Sequence, residues 1–435
     1  MVENVRKDLQ IFFNIAVQAV HGKHLWGAHT ILANWTPPVL QAGGRLRLIA
    51  VGKAAAALVE GFLTRHSAAL TDGILILPEG KNLIYQKIQV VYGGHPLPDI
   101  HSFQAAQTLL EFIGHPQETD FYLIFLSGGA SALLALPILG VSIEDKSVLT
   151  RHLLHSGANI NQINTVRKHL SGLKGGQLAR RLKPSRWQTF AISDVQGDIP
   201  EVIGSGLTVA DSSTFLEALQ CLQELNLLEQ VPPTIRNHLT LGVQGDIPET
   251  PKGIELGDPS KYFTVVASAD DALAAVVLAA QAAGYVVQSL GRTLYGPICV
   301  HATQLAATIK LLLQARRPDD APLLLLAAGE PTVQVTGNGL GGRNQELALH
   351  LAQRIAGFVG VTVLVAGTDG IDGPTHAAGA YVDGQSWARA QAAGVDPADG
   401  LAHNDSHRVL DASSDLFITG ATGTNVADLV MAVVH

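Results

Sequence analysis

The residues best suited to chemistry stand directly after short runs of Val, Ile and Leu. Lys53 follows Leu46–Val51, and a turn of small residues follows Phe121–Leu126; the turn supplies Ser127, Gly128, Gly129 and Ser131. A lysine at such a junction can reach a phosphate or a carboxylate, and small residues let backbone N–H groups approach an anion. The two segments predict an anion site, although a solvated lysine and an ordinary tight turn are the simpler alternatives.

Carboxylates occupy the same kind of position further along the chain. Asp194 follows Gln188–Ile192, and Asp369 and Asp372 follow Val361–Ala366. Carboxylates at strand ends suit Mg²⁺ binding or activation of a substrate hydroxyl. The structural alternative is aspartate as a turn former or helix cap.

Basic and amide side chains complete the candidate set. Arg167 and Lys168 lie in a basic segment, Thr165–Lys183, that we predict to be helical; such a cluster in an acidic protein suggests an anionic ligand. A solvated basic face explains the cluster equally well. Asn425 opens a final predicted helix, Asn425–Val434, which it would cap, and ligand contact is its second interpretation. Among the 17 histidines, His95 is the most site-like.

A glycine-rich segment, Gly337–Gly342, fits the pattern G-x-G-x-x-G after a predicted strand, Thr332–Val335. The dinucleotide fingerprint also needs an acidic residue about 20 positions later. The next strand ends later than that, in Asp369, and the loop leads directly into Arg343. A loop that presents Arg343 suits phosphate better than a ribose diol, so the dinucleotide evidence is weak.

Composition excludes several classes. There are 29 Lys+Arg against 37 Asp+Glu, a net charge of −8, which argues against a nucleic-acid binder. The chain lacks the Walker, G-x-S-x-G and H-E-x-x-H motifs, and neither cysteine has metal-ligand spacing. The N-terminus is not a signal peptide, and the apolar run Ala272–Val287 is too short to span a bilayer. We expect a cytoplasmic protein without a membrane partner.

Strand-like runs alternate with helical segments along the chain, which predicts an α/β fold with mainly parallel sheets flanked by helices. Val231–Lys261 contains five Pro and four Gly, so we expect an N-terminal Rossmann-like domain over 1–235 and a C-terminal α/β domain over 236–435. The heptapeptide Val195–Glu201 recurs at Val243–Glu249. Only the first copy follows a strand, and a further helix is expected to begin near Gly204.

Ten segments in order resemble the class II glycerate kinase family, whose C-terminal half is a Leu-rich domain. The resemblance covers nearly the whole chain. The segments are Val51–Ala54, Gly94–Asp99, Ser127–Leu133, Asn164–Lys168, Lys174–Ala179, Ser193–Val195, Gly329–Thr332, Gly341–Glu346, Gly367–Gly373 and Gly423–Asn425.

The resemblance implies two α/β domains with the active site in the interdomain cleft. It implies ATP-dependent phosphorylation of D-glycerate, most often at the 2-hydroxyl, with a divalent metal such as Mg²⁺. Positions that the family is thought to use match Lys53, Asp194, Arg343, Asp369 and Asn425.

Our mechanistic hypothesis gives each candidate a role. Lys53 and Arg343 neutralise the transferring phosphoryl group from opposite domains. Of Asp194 and Asp369, one orients or deprotonates the glycerate hydroxyl and the other helps to hold Mg²⁺. The Ser127–Ser131 loop takes an anion, either a nucleotide phosphate or the glycerate carboxylate. Arg167 and Lys168 are candidates for the substrate carboxylate.

Two other functions compete with the kinase. The first is an NAD(P)H-dependent hydroxypyruvate reductase, a label that members of this family often carry. In such a reductase the glycine-rich segment would bind the cofactor. A non-catalytic anion-binding protein would show ligand-induced stabilisation without turnover. The sequence predicts no particular oligomeric state.

Overall fold

The computed structural model of the chain describes residues 2–80, 83–317 and 319–435. It divides into two compact units. The N-terminal unit is residues 25–266, and the C-terminal unit is residues 267–435 together with residues 1–24. Each unit is built on a six-stranded sheet flanked by helices, so the predicted two-domain α/β architecture is confirmed.

The N-terminal unit contains a doubly wound sheet in the order β3-β2-β1-β4-β5-β6. Its strands are β1 (Leu46–Val51), β2 (Asp72–Pro78), β3 (Ile88–Gly93), β4 (Phe121–Leu126), β5 (Arg186–Ile192) and β6 (Phe263–Ala267). Strands β1 to β5 pair in parallel. The central strand β1 is buried along its whole length, as expected when helices cover both faces of a parallel sheet.

Helices connect these strands. After α1 (Val2–Ala19), which belongs to the C-terminal unit, come α2 (Gly22–Ala28), α3 (Thr30–Asn34), α4 (Ala55–His66), α5 (Ile100–Ile113), α6 (Ala130–Leu133), α7 (Ile143–His155), α8 (Ile160–His169), α9 (Gln177–Leu182), α10 (Phe215–Glu224), α11 (Pro233–Gln244) and α12 (Gly253–Leu256). Capping boxes open four of them, at Asp99, Ser142, Asn159 and Thr214. Each box satisfies N–H groups that the helix itself leaves without a partner.

Two helix predictions in this unit were wrong. The basic segment Thr165–Lys183 is not one helix, because α8 ends at His169 and α9 begins only after Gly176, whose φ of +80° is left-handed. No long helix begins at Gly204. Ile203–Ser205 forms one 3₁₀ turn in which Gly204 has a positive φ, and the next helix is α10.

The compact units divide at a different place from the expected boundary of 235/236, which lies inside α11. Ile235 and Leu239 of that helix are fully buried in a core cluster with residues of α8 and α10. The polypeptide stays in the N-terminal unit as far as Val266. The Pro- and Gly-rich segment Val231–Lys261 therefore lies entirely within this unit.

The C-terminal unit contains a mixed sheet in the order β11-β10-β9-β12-β8-β7. Its strands are β7 (Val286–Pro297), β8 (Leu323–Thr332), β9 (Val361–Gly367), β10 (Gly379–Asp383), β11 (Leu416–Phe417) and β12 (Asp428–Val434). Strands β7 and β8 pair in parallel, whereas the other four pairings are antiparallel. The expectation of a mainly parallel sheet holds for the N-terminal unit and is corrected here.

Strand β12 replaces the predicted final helix over Asn425–Val434. All seven of its residues are buried, and it lies between β8 and β9. A short apolar run buried on both faces has no amphipathic period, which explains the wrong assignment. The predicted strand Thr332–Val335 contributes only its first residue, which ends β8.

Six helices are described in the rest of this unit: α13 (Ala269–Ala282), α14 (Ile298–Ala315), α15 (Arg343–Arg354), α16 (Ser386–Ala392), α17 (Pro397–Ala402) and α18 (Ser406–Ala412). By length and composition alone, α14 could cross a membrane. Its apolar residues Ile298, Leu305 and Ile309 instead pack in the core of the C-terminal unit. Helix α14 therefore has the arrangement of a helix that covers a sheet.

Helix α1 packs on the rest of the C-terminal unit. The Phe13 ring meets Phe417 edge to face with centroids 5.0 Å apart, and Phe12 meets Tyr285 in the same way at 5.4 Å. The Tyr285 hydroxyl donates to the Asp8 carboxylate at 2.5 Å. These contacts attach the first helix to a sheet more than 250 residues later in the chain.

We predict that Phe13→Ala destabilises the C-terminal unit, because its ring is 1% exposed and its removal leaves a cavity. The expected cost is about 3–5 kcal/mol. Thermal unfolding measures it, with Ile11→Ala on the exposed face of the same helix as the control, expected to change stability by about 0.5 kcal/mol or less. Equal effects of the two substitutions would contradict the packing of α1.

Candidate active site

The strand order of the N-terminal unit creates a switch point between β1 and β4. In open α/β sheets, ligands bind at the carboxyl ends of the strands where the order reverses. Strands β1 and β4 pair in register up to Val51 opposite Leu126. Lys53 and the loop that begins at Ser127 therefore emerge at the same edge, on either side of this point.

Backbone contacts join Lys53 to that loop. The Lys53 N–H donates to the Gly128 carbonyl at 2.9 Å, and the Ala54 N–H donates to Ser127 Oγ at 3.0 Å. A Cβ on Gly52 would lie 2.3 Å from Ser127 Oγ, so only glycine permits the two turns to approach this closely. The structure thus brings together Lys53, Ser127 and Gly128.

His95, Gly129 and Asp194 lie at the same edge of the sheet. A Cβ on Gly129 would lie 3.0 Å from Cδ2 of His95 and 3.5 Å from Cγ of Lys53, so these two side chains pack against the backbone of Gly129. Asp194 follows β5, which pairs in parallel with β4, and its side chain is half-buried. The edge therefore carries a lysine and a histidine beside a glycine turn, and an aspartate after the neighbouring strand.

Hydrogen bonds between side chains connect Ser131, just after this loop, with Ser205 and Asn164. Ser131 Oγ is 2.7 Å from Ser205 Oγ, which donates to Asn164 Oδ1 at 3.0 Å. Ser205 was not among the predicted site residues. Its contact with Ser131 could not be read from the sequence, because 74 residues separate the two.

Arg167 and Lys168 have different surroundings. The Lys168 ammonium is buried and forms an ion pair with Asp211 at 2.8 Å and a longer one with Glu201 at 3.6 Å. Burial acts to raise the pKa of Asp211, but Lys168 and the hydrogen bond from Ser213 together outweigh burial, so the pKa is lowered. Lys168 is therefore engaged with acids, whereas Arg167 forms no ion pair within the described part of the chain.

In the C-terminal unit, Arg343 is the first residue of α15 and is held by two acids. Its Nε and Nη2 donate to Asp428 at 2.6 and 3.1 Å, and its Nη1 donates to Glu330 at 2.7 Å. Burial disfavours the charge of Arg343, but the two carboxylates outweigh burial and raise its pKa. The guanidinium is fixed in direction and remains charged.

Asp428 was not predicted as a site residue, because most of its segment was assigned to a helix. As the first residue of β12 it pairs in register with Gly329 on β8 and Gly367 on β9. The start of an antiparallel strand thus reaches the same edge as the carboxyl ends of its two neighbours. A signal was present in the sequence, because the family segment Gly329–Thr332 begins directly opposite Asp428.

Asp369 lies close to this group. A Cβ on Gly367 would lie 3.2 Å from Asp369 Oδ1 and 3.3 Å from Asp428 Oδ1. Asp369 Oδ1 accepts the Ile371 N–H at 3.2 Å. Asn425 caps no helix, since its Oδ1 accepts the Ala427 N–H at 3.3 Å in the turn before β12.

Asp372 acts as a helix cap. Its carboxylate accepts the N–H groups of Asn344 and Gln345 and the Gln345 side-chain amide. Burial is the main cause that raises the pKa of Asp372. The role of a helix cap therefore accounts for Asp372. The cap also fixes the start of α15, the helix that carries Arg343.

The glycine-rich segment 337–342 is not built as a dinucleotide cradle. The N–H of Gly337 donates to Asn404 Oδ1 at 2.9 Å, and that of Leu340 donates to Asp405 Oδ1 at 3.1 Å. A Cβ on Gly339 would lie 2.6 Å from the Asp405 nitrogen. Gly337, Gly339 and Gly341 allow close packing on residues 403–406. The N–H groups of Gly337, Gly339 and Leu340 donate within the protein.

Within residues 2–80, 83–317 and 319–435, no three acidic, histidine or cysteine side chains converge as metal ligands. Mg²⁺ is commonly held by one or two carboxylates together with substrate phosphates. Single carboxylates at strand ends, such as Asp194 and Asp369, fit that requirement.

The fold defines an α/β protein with charged side chains at the carboxyl ends of strands in each unit. Residues 8–240 match the family described as a domain of unknown function (DUF4147), and residues 323–428 match the MOFRL family. The chain belongs to the class II glycerate kinase family.

Three similar proteins illustrate this membership. The chain is 36% identical to glycerate 2-kinase of Pyrococcus horikoshii over 90% of this chain and 88% of that protein. It is 35% identical to a putative hydroxypyruvate reductase of Agrobacterium vitis over 89% of this chain and 98% of that protein. The crystal structure of glycerate kinase from Thermotoga maritima superposes with a TM-score of 0.84 at 33% identity and covers both chains fully.

We predict that Lys168→Met lowers the melting temperature, because Asp211 then stays buried without its cation. Breaking a buried pair costs about 3–5 kcal/mol. The fold lowers the pKa of Asp211, so the loss in melting temperature depends on pH. The loss is complete above about pH 5, where aspartate in the unfolded chain (pKa about 3.9) is ionised. It becomes smaller as the pH falls through the lowered pKa of Asp211 in the folded protein.

Thermal unfolding from pH 3 to pH 7 measures this difference. Lys261→Met, at an exposed lysine of the same unit, is the control and should not change the melting temperature. A difference independent of pH would contradict the assignment.

Proposed function

We propose that the protein is a glycerate kinase that transfers the γ-phosphoryl group of ATP to the 2-hydroxyl of D-glycerate. The observation that carries the proposal is Lys53 beside the Ser127–Gly129 turn at the switch point, in a chain whose relatives include glycerate 2-kinase. Phosphoryl transfer needs positioning and charge neutralisation above all. Lys53, the turn and Arg343 supply both.

The proposed roles follow the geometry within each unit. Lys53 and Arg343 stabilise negative charge on the transferring phosphoryl group, and the Ser127–Gly129 turn binds an anionic oxygen of a substrate. Arg343 is suited to this because Asp428 and Glu330 orient its guanidinium. One of Asp194 and Asp369 accepts the proton of the glycerate hydroxyl.

We propose that the other of these two carboxylates holds Mg²⁺ together with phosphate oxygens. Bound there, the ion would neutralise phosphate charge. We also propose that the enzyme acts in the cytoplasm on these small molecules and without a nucleic-acid or membrane partner.

The reductase hypothesis is less well supported. It needs a site for the NAD(P)H pyrophosphate, and two N–H groups of the glycine-rich segment, those of Gly337 and Leu340, already donate to Asn404 and Asp405. Two assays on the purified protein separate the hypotheses. The kinase releases ADP from ATP and Mg²⁺ only when D-glycerate is present, whereas the reductase oxidises NAD(P)H with hydroxypyruvate and needs no ATP. The second pattern would overturn the proposal.

Lys53→Met should reduce kcat for ADP release about 10²- to 10³-fold, because one preorganised cation is lost from the transition state. Circular dichroism checks the fold. Lys183→Met is the matched control, since that lysine is exposed and donates to the Glu255 carbonyl away from the switch point. Near-normal turnover of the Lys53 variant would remove Lys53 from the catalytic machinery.

A further inference from the structure

A small cavity in the N-terminal unit is lined by three basic side chains from separate segments. Lys146 comes from α7, Arg167 from α8, and Lys174 from the loop before α9. Ser131 and Thr150 also line the cavity, whose free volume is about 10 Å³, close to the room that one water molecule needs. The cavity was not predicted, and of its three cations only Arg167 was a candidate site residue.

The cations lack balancing acids. Lys146 is 7% exposed, and its Nζ donates to no acceptor in the described part of the chain. The buried Lys174 Nζ donates to the carbonyl oxygens of Ser131 and Leu134, both at 2.7 Å. Across residues 2–80, 83–317 and 319–435, no carboxylate forms an ion pair with Lys146, Arg167 or Lys174.

The electrostatics reflect this imbalance. Burial and the neighbouring Arg167 lower the pKa of Lys146 to about 7. Burial, Lys146 and Arg167 together lower the pKa of Lys174, and burial lowers that of Arg167. Like charges that share a buried site are costly unless a counter-charge joins them. An anion in the cavity would relieve this repulsion and give the Lys146 ammonium an acceptor.

The cavity shares two segments with the switch point. Ser131 belongs to α6, which begins directly after the Ser127–Gly129 turn, and Pro98 lies three residues after His95. The free space of about 10 Å³ is far below the roughly 300–1,000 Å³ of sites for whole drug-sized ligands. The cavity therefore excludes a nucleotide, and a small anionic group enters it only when the side chains of Lys146 and Arg167 move apart.

We propose that this cavity binds the carboxylate of D-glycerate through Lys146 and Arg167, with Lys174 positioning its wall through the carbonyls of Ser131 and Leu134. The proposal rests on the proposed function and names the substrate contact within it. The proposal gives the two neighbouring basic residues different roles, because Arg167 lines the cavity whereas Lys168 is paired with Asp211.

The test is Lys146→Met, which keeps the shape of the side chain and removes its charge. Loss of a charge-assisted contact should raise KM for D-glycerate about 10- to 100-fold and leave KM for ATP nearly unchanged. The ligand-free variant should melt no lower than wild type, because an apolar group replaces a buried ammonium without a partner. Arg151→Gln, an exposed position on the same helix, is the control and should change neither KM.

The outcomes separate the proposal from its alternatives. An increase in KM for ATP instead would assign the cavity to a phosphate group and overturn the proposal. A lower melting temperature with unchanged KM for D-glycerate would mean that Lys146 is structural and would also overturn it. If Lys146→Met does not fold, Arg167→Gln at the partly exposed side chain must give the same increase in KM for D-glycerate.

A measurement without turnover keeps the two proposals distinguishable. D-glycerate alone should raise the melting temperature of wild type and of Arg151→Gln but not that of Lys146→Met, and inorganic phosphate serves as the comparison anion. If wild type releases no ADP but shows this pattern, the kinase function fails and the carboxylate site stands. If wild type releases ADP but Lys146→Met is stabilised equally by D-glycerate, the carboxylate site fails alone.

Discussion

The pairing of β1 with β4 is the constraint on which the rest of the N-terminal unit depends. Because the two strands run parallel and in register to Val51 and Leu126, their following turns must meet at one edge. Gly52 permits the approach, and Ser127 ties the turns together by accepting the Ala54 N–H. The position of Lys53 therefore follows from this backbone arrangement, which results from the pairing of the two apolar strands.

The two units hold positive charge in opposite ways. In the C-terminal unit, Asp428 and Glu330 balance Arg343, so the guanidinium is fixed and remains charged without a ligand. In the N-terminal unit, Lys146, Arg167 and Lys174 share a cavity without such acids. The first arrangement suits a cation that must point in one direction, and the second favours the arrival of an anion.

The sequence allowed the fold class, the family and the strand ends that carry Lys53, Asp194 and Asp369 to be predicted. Local pattern suffices there, because a buried strand followed by a polar turn is visible in one segment. It failed for β12, since a short run buried on both faces has no period that separates strand from helix. The heptapeptide shows the same limit, because one copy forms a 3₁₀ turn after β5 and the other ends α11.

The missed residues depend on contacts between distant segments. Asp428 meets Arg343 across 85 residues, and Lys168 meets Asp211 across 43. Whether a basic residue is paired or available, as with Lys168 and Arg167, is decided by such contacts and not by local spacing. The sequence could therefore name both residues as candidates but could not separate their roles.

The most direct test of the central claim is an enolase-coupled assay with ATP, Mg²⁺ and D-glycerate, because enolase acts on the 2-phosphate of glycerate. Our account predicts an enolase signal that rises together with ADP. ADP release without that signal would mean hydrolysis or transfer to the 3-hydroxyl. Either result would contradict the assignment of this chain as a D-glycerate 2-kinase.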